Sequence, residues 1–453
     1  MELTRAIHVK QVYNLFRANA LTIDNIEKFY QQSHRARGGR PVRDRIIRHL
    51  NNEEQQIQHI LFVGYKGCGK STELNYIQKE IEGDFLTVSF SVFQNLNQSN
   101  YNYIELIILV MEQLFATTQK ENLYISSEYL QQITAWLKSG EQETINTRFI
   151  GAEAEGGKAG IFGIPFLGNL FYKIRFATST GSEIRESIRR EIEPQISELI
   201  ELCNRLFTEV NQAIYKEGKK GIVVIIEDID KTNPNTVLEI FKDYSSILTQ
   251  LNAHFIYTFP VSAYYSLTFQ SIQPHFSDVC LLPMIKVNMP DGTEYAEGIE
   301  VMRQIVDARM DTAALFEDQQ TLKQMIKMSG GSIRDLFIMV QEAAETAVDY
   351  EREKITDQDY WSAFYRLKGN YSTSIADFTD ADGKFFSVKD YFATLVELAK
   401  SPDKKISNTE ILLHLRESTC VLSYNEKQWM DVHPIVKEIL KERKMWNGEL
   451  DPA

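Results

Sequence analysis

The stretch Gly64–Ser71 places the strongest constraint on how this chain can fold, because it fits the pattern G-x-x-x-x-G-K-[S/T] without a gap. The apolar run Ile60–Val63 before it predicts a short buried strand, and Thr72–Glu82 after it predicts a helix with its apolar residues on one face. Glycines between a strand and a helix let backbone N–H groups turn inward, and the helix N-terminus adds partial positive charge. The sequence therefore predicts an anion-binding loop. A chance glycine turn would lack this context.

A loop of this kind cradles nucleotide phosphates, and two of its residues carry specific chemistry. Lys70 is expected to reach the β- and γ-phosphates of a nucleotide, and the Ser71 hydroxyl is expected to ligate Mg²⁺. The candidate nucleotide-binding residues of the loop and the first helical turn are Gly64, Tyr65, Lys66, Gly67, Cys68, Gly69, Lys70, Ser71 and Thr72.

A second candidate element lies far downstream, at Gly221–Ile226, where a continuous β-branched run is typical of a strand buried on both faces of a parallel sheet. Glu227, Asp228 and Asp230 follow its carboxyl end. Phosphoryl transfer to water needs one carboxylate that orients Mg²⁺ and a second that polarises the attacking water. By position Glu227 is the metal-side group and Asp228 the water-polarising one, but the spacing leaves these roles open between them and assigns Asp230 a structural role. The alternative is a solvated strand end, which the upstream phosphate loop argues against.

The composition is that of a soluble globular protein, with 43% hydrophobic and 25% charged residues. Four widely separated cysteines form no metal spacing, which predicts a reduced, cytoplasmic protein without structural disulfides. Charged residues interrupt the N-terminus, so no signal peptide is expected. The longest uncharged apolar stretch is too short and too broken by glycine and proline to cross a membrane. The net charge of −13 argues against a broad basic face for nucleic acid, though not against a local one.

A local concentration of arginines stands out from this acidic background between residues 35 and 48. We interpret it as an arginine-rich turn that leads into a solvated helix face, because neighbouring acidic residues dilute the positive field. Contact with phosphate or with an acidic partner is the alternative. The arginines are Arg35, Arg37, Arg40, Arg43, Arg45 and Arg48.

At 453 residues, two to four domains are expected. Residues 1–50 are predicted to form an N-terminal helical segment. About five β/α units in residues 51–290 predict an α/β fold with a doubly wound parallel sheet of the P-loop type, interrupted by a long insertion at about 93–221. Residues 291–370 are helical and predict a lid, and residues 371–453 form a small mixed unit that contains a β-hairpin.

Three motifs together make the chain resemble the AAA+/STAND-type P-loop ATPases, and it is similar among these to origin-recognition-type initiators. They are Gly64–Ser71, the run Ile222–Lys231, and Ser329–Leu336. The resemblance covers about residues 50–370. It implies ATP and Mg²⁺ as cofactors, and the tail after residue 370 looks like the winged-helix unit that often follows such lids.

The resemblance also implies roles for individual residues. Ser329–Leu336 resembles the sensor 2 segment of the lid, which implies that Arg334 contacts the γ-phosphate and acts with Lys70 and the two acids in catalysis. The strand Phe255–Phe259 matches the sensor 1 position, with Thr258 as its polar contact.

The chain departs from the family pattern in three places. The acidic pair begins with Glu227 where these families usually have Asp, and the insertion is much longer than usual. It contains a glycine-rich apolar segment, 148–178, which we interpret as a packed β-hairpin, with an exposed partner-binding or membrane-binding device as the alternative. No arginine stands where an arginine finger is sought. Arg303 and Arg309 in the first lid helix are the substitutes, and ordinary lid packing is the alternative for both.

These observations predict an ATP-binding and ATP-hydrolysing switch or remodelling ATPase, and by family resemblance it could be the ATPase component of a bacterial defence system. A partner protein or self-association is expected, and no membrane contact. A DNA-binding initiator-like or mobile-element ATPase is one alternative, and a non-catalytic scaffold that holds ATP is another. DNA is not favoured, because basic and acidic residues are nearly balanced in the C-terminal unit. The unit is instead predicted to be a protein–protein or intramolecular docking module.

Overall fold

The structure is a computed structural model, which describes residues 4–39, 41–52, 56–97, 101–138, 192–380, 383–424 and 429–450. Its centre is a sheet of five strands in the order β2-β3-β4-β1-β5, and every pairing is parallel. This confirms the predicted α/β class. The carboxyl ends of parallel strands share one edge, so the loop after β1 and the acids after β3 meet there. The strands are β1 (His59–Gly64), β2 (Phe85–Ser91), β3 (Gly221–Glu227), β4 (His254–Phe259) and β5 (Asp278–Leu282).

Helices cover both faces of the sheet. In β3 the residues Val224 and Ile226 belong to the core on one face, and Val223 and Ile225 to the core on the other. The β-branched run is therefore buried on both sides, as the sequence predicts. The helices of this part of the chain are α5 (Lys70–Ile81), α6 (Val92–Asn95), α7 (Tyr103–Lys120), α8 (Ser127–Lys138), α9 (Ile196–Tyr215), α10 (Pro234–Asp243), α11 (Ser245–Leu248), α12 (Val261–Tyr265) and α13 (Phe269–Ile272).

The helices outside the sheet region occur in three groups along the chain. The N-terminal group is α1 (Val9–Leu15), α2 (Ile23–Phe29), α3 (His34–Arg37) and α4 (Val42–Leu50). The lid group is α14 (Ala296–Asp307), α15 (Thr312–Leu315), α16 (Gln319–Met328), α17 (Ile333–Asp349) and α18 (Asp357–Ser374). The C-terminal group is α19 (Val388–Lys400), α20 (Glu410–Glu417) and α21 (Pro434–Glu442). Within the described ranges, no helix is long and apolar enough to cross a membrane.

Two hairpins accompany the C-terminal helices. Strands β6 (Phe378–Thr379) and β7 (Phe385–Phe386) form the first, and β8 (Val421–Tyr424) and β9 (Trp429–Val432) form the second. Tyr424 bridges to Met284 just beyond β5, so the second hairpin lies beside the end of the central sheet.

One hydrophobic core joins three segments that are distant in sequence. It contains Val12 and Phe16 from the N-terminal helices, Val340 from the lid, and Val432 and Ile435 from the C-terminal unit. Because these segments share one core, the lid group packs against both the N-terminal helices and the C-terminal unit.

Several element boundaries differ from those predicted. The predicted helical segment at the N-terminus is interrupted between α1 and α2. The sequence Val279–Val287 predicts a strand over its whole length, but β5 ends at Leu282, before Pro283. The sequence Ser182–Glu217 predicts a long helix with a break or kink at Pro194. The structure describes this segment from residue 192 onward, where a 3-10 turn at Glu193–Gln195 contains Pro194. The glycine-rich segment 148–178 lies outside the described residues.

Candidate functional site

The loop between β1 and α5 has the conformation that its glycines allow. Gly67 and Gly69 have φ of 84° and 101°, in the left-handed region that other residues rarely adopt. A Cβ atom at Gly67 would lie 2.7 Å from the Cβ of Arg334. Helix α5 begins at Lys70 directly after Gly69, so its N-terminal N–H groups face the loop.

The ammonium group of Lys70 is buried at the end of the sheet. Its Nζ donates hydrogen bonds to the carbonyl oxygens of Gly64 and Tyr65 at 2.7 and 2.9 Å. It also lies 2.9 Å from Oδ2 of Asp230. Burial is the largest single effect and lowers the pKa of Lys70, but Asp230 and Cys68 together raise it, and the net pKa lies above the ordinary value. Asp230 is therefore the counter-ion of Lys70.

Ser71 and Glu227 meet across the site. The Ser71 side chain hydrogen-bonds the Glu227 carboxyl, which lowers the pKa of that acid, but burial is the larger effect and raises it to about 7. Mg²⁺ is usually held by one or two protein oxygen ligands together with substrate phosphates. A hydroxyl and a carboxyl in contact, at the edge of a phosphate-binding loop, fit that ion. No group of three or more His, Cys, Asp or Glu that could hold a metal occurs among the described residues.

Asp228 follows at the end of β3 with a positive φ of 66°. Its Oδ2 accepts a hydrogen bond of 2.6 Å from the Ser91 hydroxyl at the end of β2, and its Oδ1 lies 2.6 Å from Nζ of Lys231. Two neighbours therefore fix its orientation, so that the carboxylate lines the cavity described below.

The lid reaches the phosphate loop directly. The backbone N–H of Arg334, in the first turn of α17, donates to the carbonyl of Gly67 at 3.3 Å. Within the part of the chain that the structure describes, the Arg334 guanidinium has no hydrogen bond or ion pair of its own. It lines the same cavity as Lys70.

These groups surround a cavity of about 430 Å³, within the usual size range of small-molecule sites. The N-terminal segment supplies one wall, including Phe29 and Tyr30, and the lid supplies another, including Ile305 and Phe337. Of the residues predicted from sequence, Gly64, Tyr65, Cys68 and Thr258 do not line it, whereas Lys66, Gly67, Gly69, Lys70, Ser71, Thr72, Glu227, Asp228 and Arg334 do.

The loop residues that do not line the cavity have other partners. The Tyr65 hydroxyl lies 2.8 Å from Oγ of Ser423 in the C-terminal hairpin. Lys66 lines the cavity, but its Nζ also lies 2.6 Å from Glu417 in α20. The phosphate loop is thus in direct contact with the C-terminal unit.

The Thr258 hydroxyl is buried between strands. It accepts a hydrogen bond from the Ile229 N–H at 3.1 Å and donates to the Ile226 carbonyl at 3.2 Å. These bonds hold the chain just beyond β3 against β4. A contact between Thr258 and nucleotide stays a prediction from resemblance.

The two substitutes for an arginine finger lie in different environments. Arg303 is exposed and forms a bidentate pair with Glu300 at 2.7 and 2.8 Å. Arg309 is buried in the cavity wall, against the rings of Phe29 and Phe337, and burial lowers its pKa to about 10. Arg309 is 6% exposed, whereas the Arg303 side chain is 43% exposed, so Arg303 is the more accessible of the two.

Sequence reasoning missed two residues of the site. Ser91 contacts Asp228 only because β2 lies next to β3. Arg37 is buried, contrary to the solvated face expected for its segment, and it donates to the carbonyl of Cys68 at 2.7 Å and to that of Pro283. The arginine run between residues 35 and 48 is the sequence signal for Arg37, because its alternative interpretation was contact with phosphate.

No family model matches the chain. Among solved structures it is similar to the ORC2 protein of Aeropyrum pernix, at 12% identity and a TM-score of 0.40, over 96% of this chain and 98% of that one. It is similar to Cdc6p of Pyrobaculum aerophilum, at 10% identity and 0.40, over 95% and 98%. It is also similar to the RuvB branch migration motor of Thermotoga maritima, at 10% identity and 0.35, over 92% and 98%. The P-loop fold itself rests on the strand order and loop geometry described above.

Proposed function

We propose that the protein is a Mg²⁺-dependent ATPase that works as a switch or remodelling enzyme. The observation that carries this proposal is the convergence of Lys70, Ser71, Glu227, Asp228 and Arg334 on one cavity. They come from three separate segments, the phosphate loop, the end of β3 and the lid, and each has the chemistry that phosphoryl transfer to water needs.

The residues take complementary roles. Lys70, whose ammonium group is held by Asp230, supplies positive charge to the β- and γ-phosphates. Ser71 and Glu227 would hold Mg²⁺, which when bound neutralises charge on the phosphate oxygens. Asp228, fixed by Ser91 and Lys231, would orient the attacking water and accept its proton.

Three contacts support coupling between nucleotide state and the rest of the chain. Arg334, which would meet the γ-phosphate, is bonded through its backbone to Gly67. Tyr65 and Lys66 contact Ser423 and Glu417 of the C-terminal unit. Nucleotide phosphates that bind Lys66 or Arg334 would therefore change the contacts that the lid and the C-terminal unit make with the phosphate loop.

The basic side chains of the C-terminal unit favour docking to protein over binding to DNA. Lys404 is 2% exposed and donates to the Ala399 carbonyl at 2.8 Å, and Arg416 is buried against the ring of Tyr265. Lys441 pairs with Glu438. Cations that are buried or paired within the unit release few counterions from DNA.

The remaining parts of the proposal rest on the sequence. We divide the chain into an N-terminal helical segment (1–50), an ATPase core with its insertion (51–290), a lid (291–370) and a winged-helix-like unit (371–453). Four free, buried cysteines agree with a reducing cytoplasmic setting. Self-association and a role in bacterial defence rest on the family resemblance alone.

Lys70→Ala tests the proposal, because it removes the cation aimed at the phosphates. We expect Mg·ATP to raise the melting temperature of the natural protein and to leave that of the variant unchanged, since only bound ligand stabilises the folded state. Lys79→Ala, which removes an exposed ion pair from the same helix, is the matched control and should keep the full shift.

Removal of Lys70 also leaves the buried Asp230 carboxylate without its counter-ion, which costs about 3–5 kcal/mol in typical buried pairs. Lys70→Ala combined with Asp230→Asn avoids that cost and should fold with the same defect. An undiminished ATP-induced shift in either variant contradicts the assignment.

A further inference from the structure

A second cavity of about 760 Å³, larger than the first, lies at the outer edge of the sheet. Strand β5 forms its floor, and among the described strands β5 pairs only with β1. The segment from α3 to α4, which carries the arginine run, forms the opposite wall. The proposed ATPase chemistry does not use this cavity.

The lining of the second cavity is strongly basic. Arg37, Arg43, Arg45, Arg48, His34 and His49 line it, and Glu73 is the one carboxylate among the described lining residues. The chain as a whole has a net charge of −13, so four arginines around one concave space make a positively charged site on an acidic protein. Cations gathered in a concave site raise the local concentration of anions.

These cations are only partly neutralised by the protein. Arg45 and His49 share one carboxylate, that of Asp278. The Arg48 guanidinium makes no hydrogen bond or ion pair with any residue that the structure describes. Arg43 pairs with the exposed Asp44 carboxylate at 3.2 Å, and its guanidinium is held 4.1 Å over the ring of Tyr76 with a hydrogen bond of 3.2 Å to the Tyr30 hydroxyl. This wall therefore carries fixed positive charge, and Arg48 keeps N–H donors that have no partner among the described residues.

Much of the remaining lining is apolar. Val279 and Leu281 are half-buried along β5, and Val42 and Tyr264 lie beside them. A concave site of 300–1,000 Å³ with apolar walls and a few charged groups is typical of small-molecule binding. Guanidinium groups match phosphate oxygens in pairs, and several of them suit a ligand with more than one negative charge.

We infer that this cavity binds a small phosphate-bearing molecule, separately from the nucleotide in the first cavity. The two cavities share a wall that includes Tyr30, Ser33 and Arg37. Arg37 holds the Cys68 carbonyl of the phosphate loop, so a ligand in the second cavity touches the same wall that supports the first. The inference needs no nucleotide in the first cavity and stands independently of the ATPase proposal.

Pyrophosphate is a suitable probe, tested by thermal melting in the Lys70→Ala/Asp230→Asn protein at constant ionic strength. That background disables the first cavity, so failure here leaves the ATPase proposal untouched. We expect the melting temperature to rise with pyrophosphate concentration and to saturate. Arg45→Ala/Arg48→Ala, added to the background, should remove the shift. Arg205→Ala, which removes a half-buried arginine of α9 that pairs with Glu128 of α8, should retain the shift.

Arg48→Ala alone provides a second measurement, because this side chain has no partner among the described residues and its loss should not affect folding. We expect isothermal titration to show pyrophosphate binding weakened about tenfold, the usual cost of one charged hydrogen-bonding group. The inference is wrong if pyrophosphate raises the melting temperature equally with and without Arg45 and Arg48. It is also wrong if pyrophosphate does not raise the melting temperature at all. If citrate raises the melting temperature and pyrophosphate does not, the assignment of the ligand as a phosphate-bearing molecule is wrong.

Discussion

Three acidic residues lie at the end of β3 or just beyond it, and each has a different partner. Glu227 contacts Ser71, Asp228 contacts Ser91 and Lys231, and Asp230 pairs with Lys70. The sequence could place all three at a strand end beside a phosphate loop. It could not assign the distant partners Ser71, Ser91 and Lys70, because these come from β2 and from the phosphate loop and its helix. The order of strands in a sheet cannot be deduced from the spacing of residues along one strand.

Asp228→Asn should retain ATP binding and lose turnover. The amide keeps the size of the carboxylate and can still accept a hydrogen bond from Ser91, but it cannot take a proton from water. The loss of a general base typically lowers the rate by about a hundredfold to ten-thousandfold. Phosphate release and the ATP-induced melting shift would be measured on the same samples.

The control for that substitution is Asp243→Asn, which changes an exposed carboxylate paired with Lys242. This substitution should alter neither phosphate release nor the ATP-induced shift in melting temperature. If Asp228→Asn weakens binding as much as turnover, Asp228 is the metal-side group and Glu227 becomes the candidate for polarising water.

Two histidines lie in the buried strands β1 and β4, and burial lowers the pKa of His59 and of His254 to about 4. His59 stacks on Phe255 at 5.1 Å and its Nε2 lies 3.1 Å from the Leu251 carbonyl, while His254 Nδ1 accepts the Gln58 N–H. Both rings are therefore neutral parts of the fold. The periodicity of a strand predicts that such positions are buried but not that the rings stay uncharged.

These histidines should make the fold sensitive to acid. The unfolded chain takes up protons at an ordinary histidine pKa of about 6.5, whereas the folded protein does not until about pH 4, so stability falls as pH drops between these values. The free energy of unfolding should decrease by up to about 2 kcal/mol per histidine between pH 7 and 5. Urea unfolding at several pH values measures this. His59→Gln or His254→Gln should flatten the dependence, the exposed His275→Gln should not, and equal slopes in all variants would count against the explanation.

The lid meets the phosphate loop through a glycine turn that leads into α17. A Cβ atom at Gly331 would lie 1.7 Å from the Ile285 carbonyl, so only glycine fits there, and Ser332 then caps the helix by accepting the Asp335 N–H at 3.3 Å. This turn places Arg334 beside Gly67. The sequence motif predicted the element and its arginine, while the contact with the loop comes from tertiary packing.

Arg334→Ala should leave ADP affinity nearly unchanged and weaken ATP binding, because the guanidinium has no partner within the described residues and would meet only the γ-phosphate. Competition titration with both nucleotides measures the difference. Arg303→Ala, which breaks the exposed pair with Glu300 in the same lid, should change neither affinity of the isolated chain. An equal loss for ADP and ATP would make Arg334 a residue of the fold.

At the scale of the whole molecule, the order of the elements was predictable and their assembly was not. Hydrophobic periodicity shows which face of a helix is buried, but not what covers it. The N-terminal helices, the lid and the C-terminal unit therefore looked like separate parts, and the structure joins residues of all three in one core. In the same way, nothing in the hairpin sequence indicated that Ser423 would contact the phosphate loop.

Glu417→Gln tests whether the C-terminal unit restrains the phosphate loop. Lys66 lines the nucleotide cavity and pairs with Glu417, so the carboxylate competes with phosphate for the same ammonium group. The amide would free Lys66 and still accept the Ser262 hydroxyl, whose bond to Glu417 is 2.8 Å. We expect ATP to bind about twofold to fivefold more tightly, the range of partly exposed ion pairs, with the gain shrinking at high salt. Hydrogen exchange of the β8 amides should also become faster in the absence of nucleotide, since the contact between the C-terminal unit and the phosphate loop is weakened.

Glu410→Gln, in the same helix but paired with Lys384, is the control and should change neither ATP affinity nor the exchange rate of β8. Unchanged ATP affinity together with unchanged exchange in Glu417→Gln would reduce the Lys66–Glu417 pair to a fold contact and remove the link between the tail and the nucleotide.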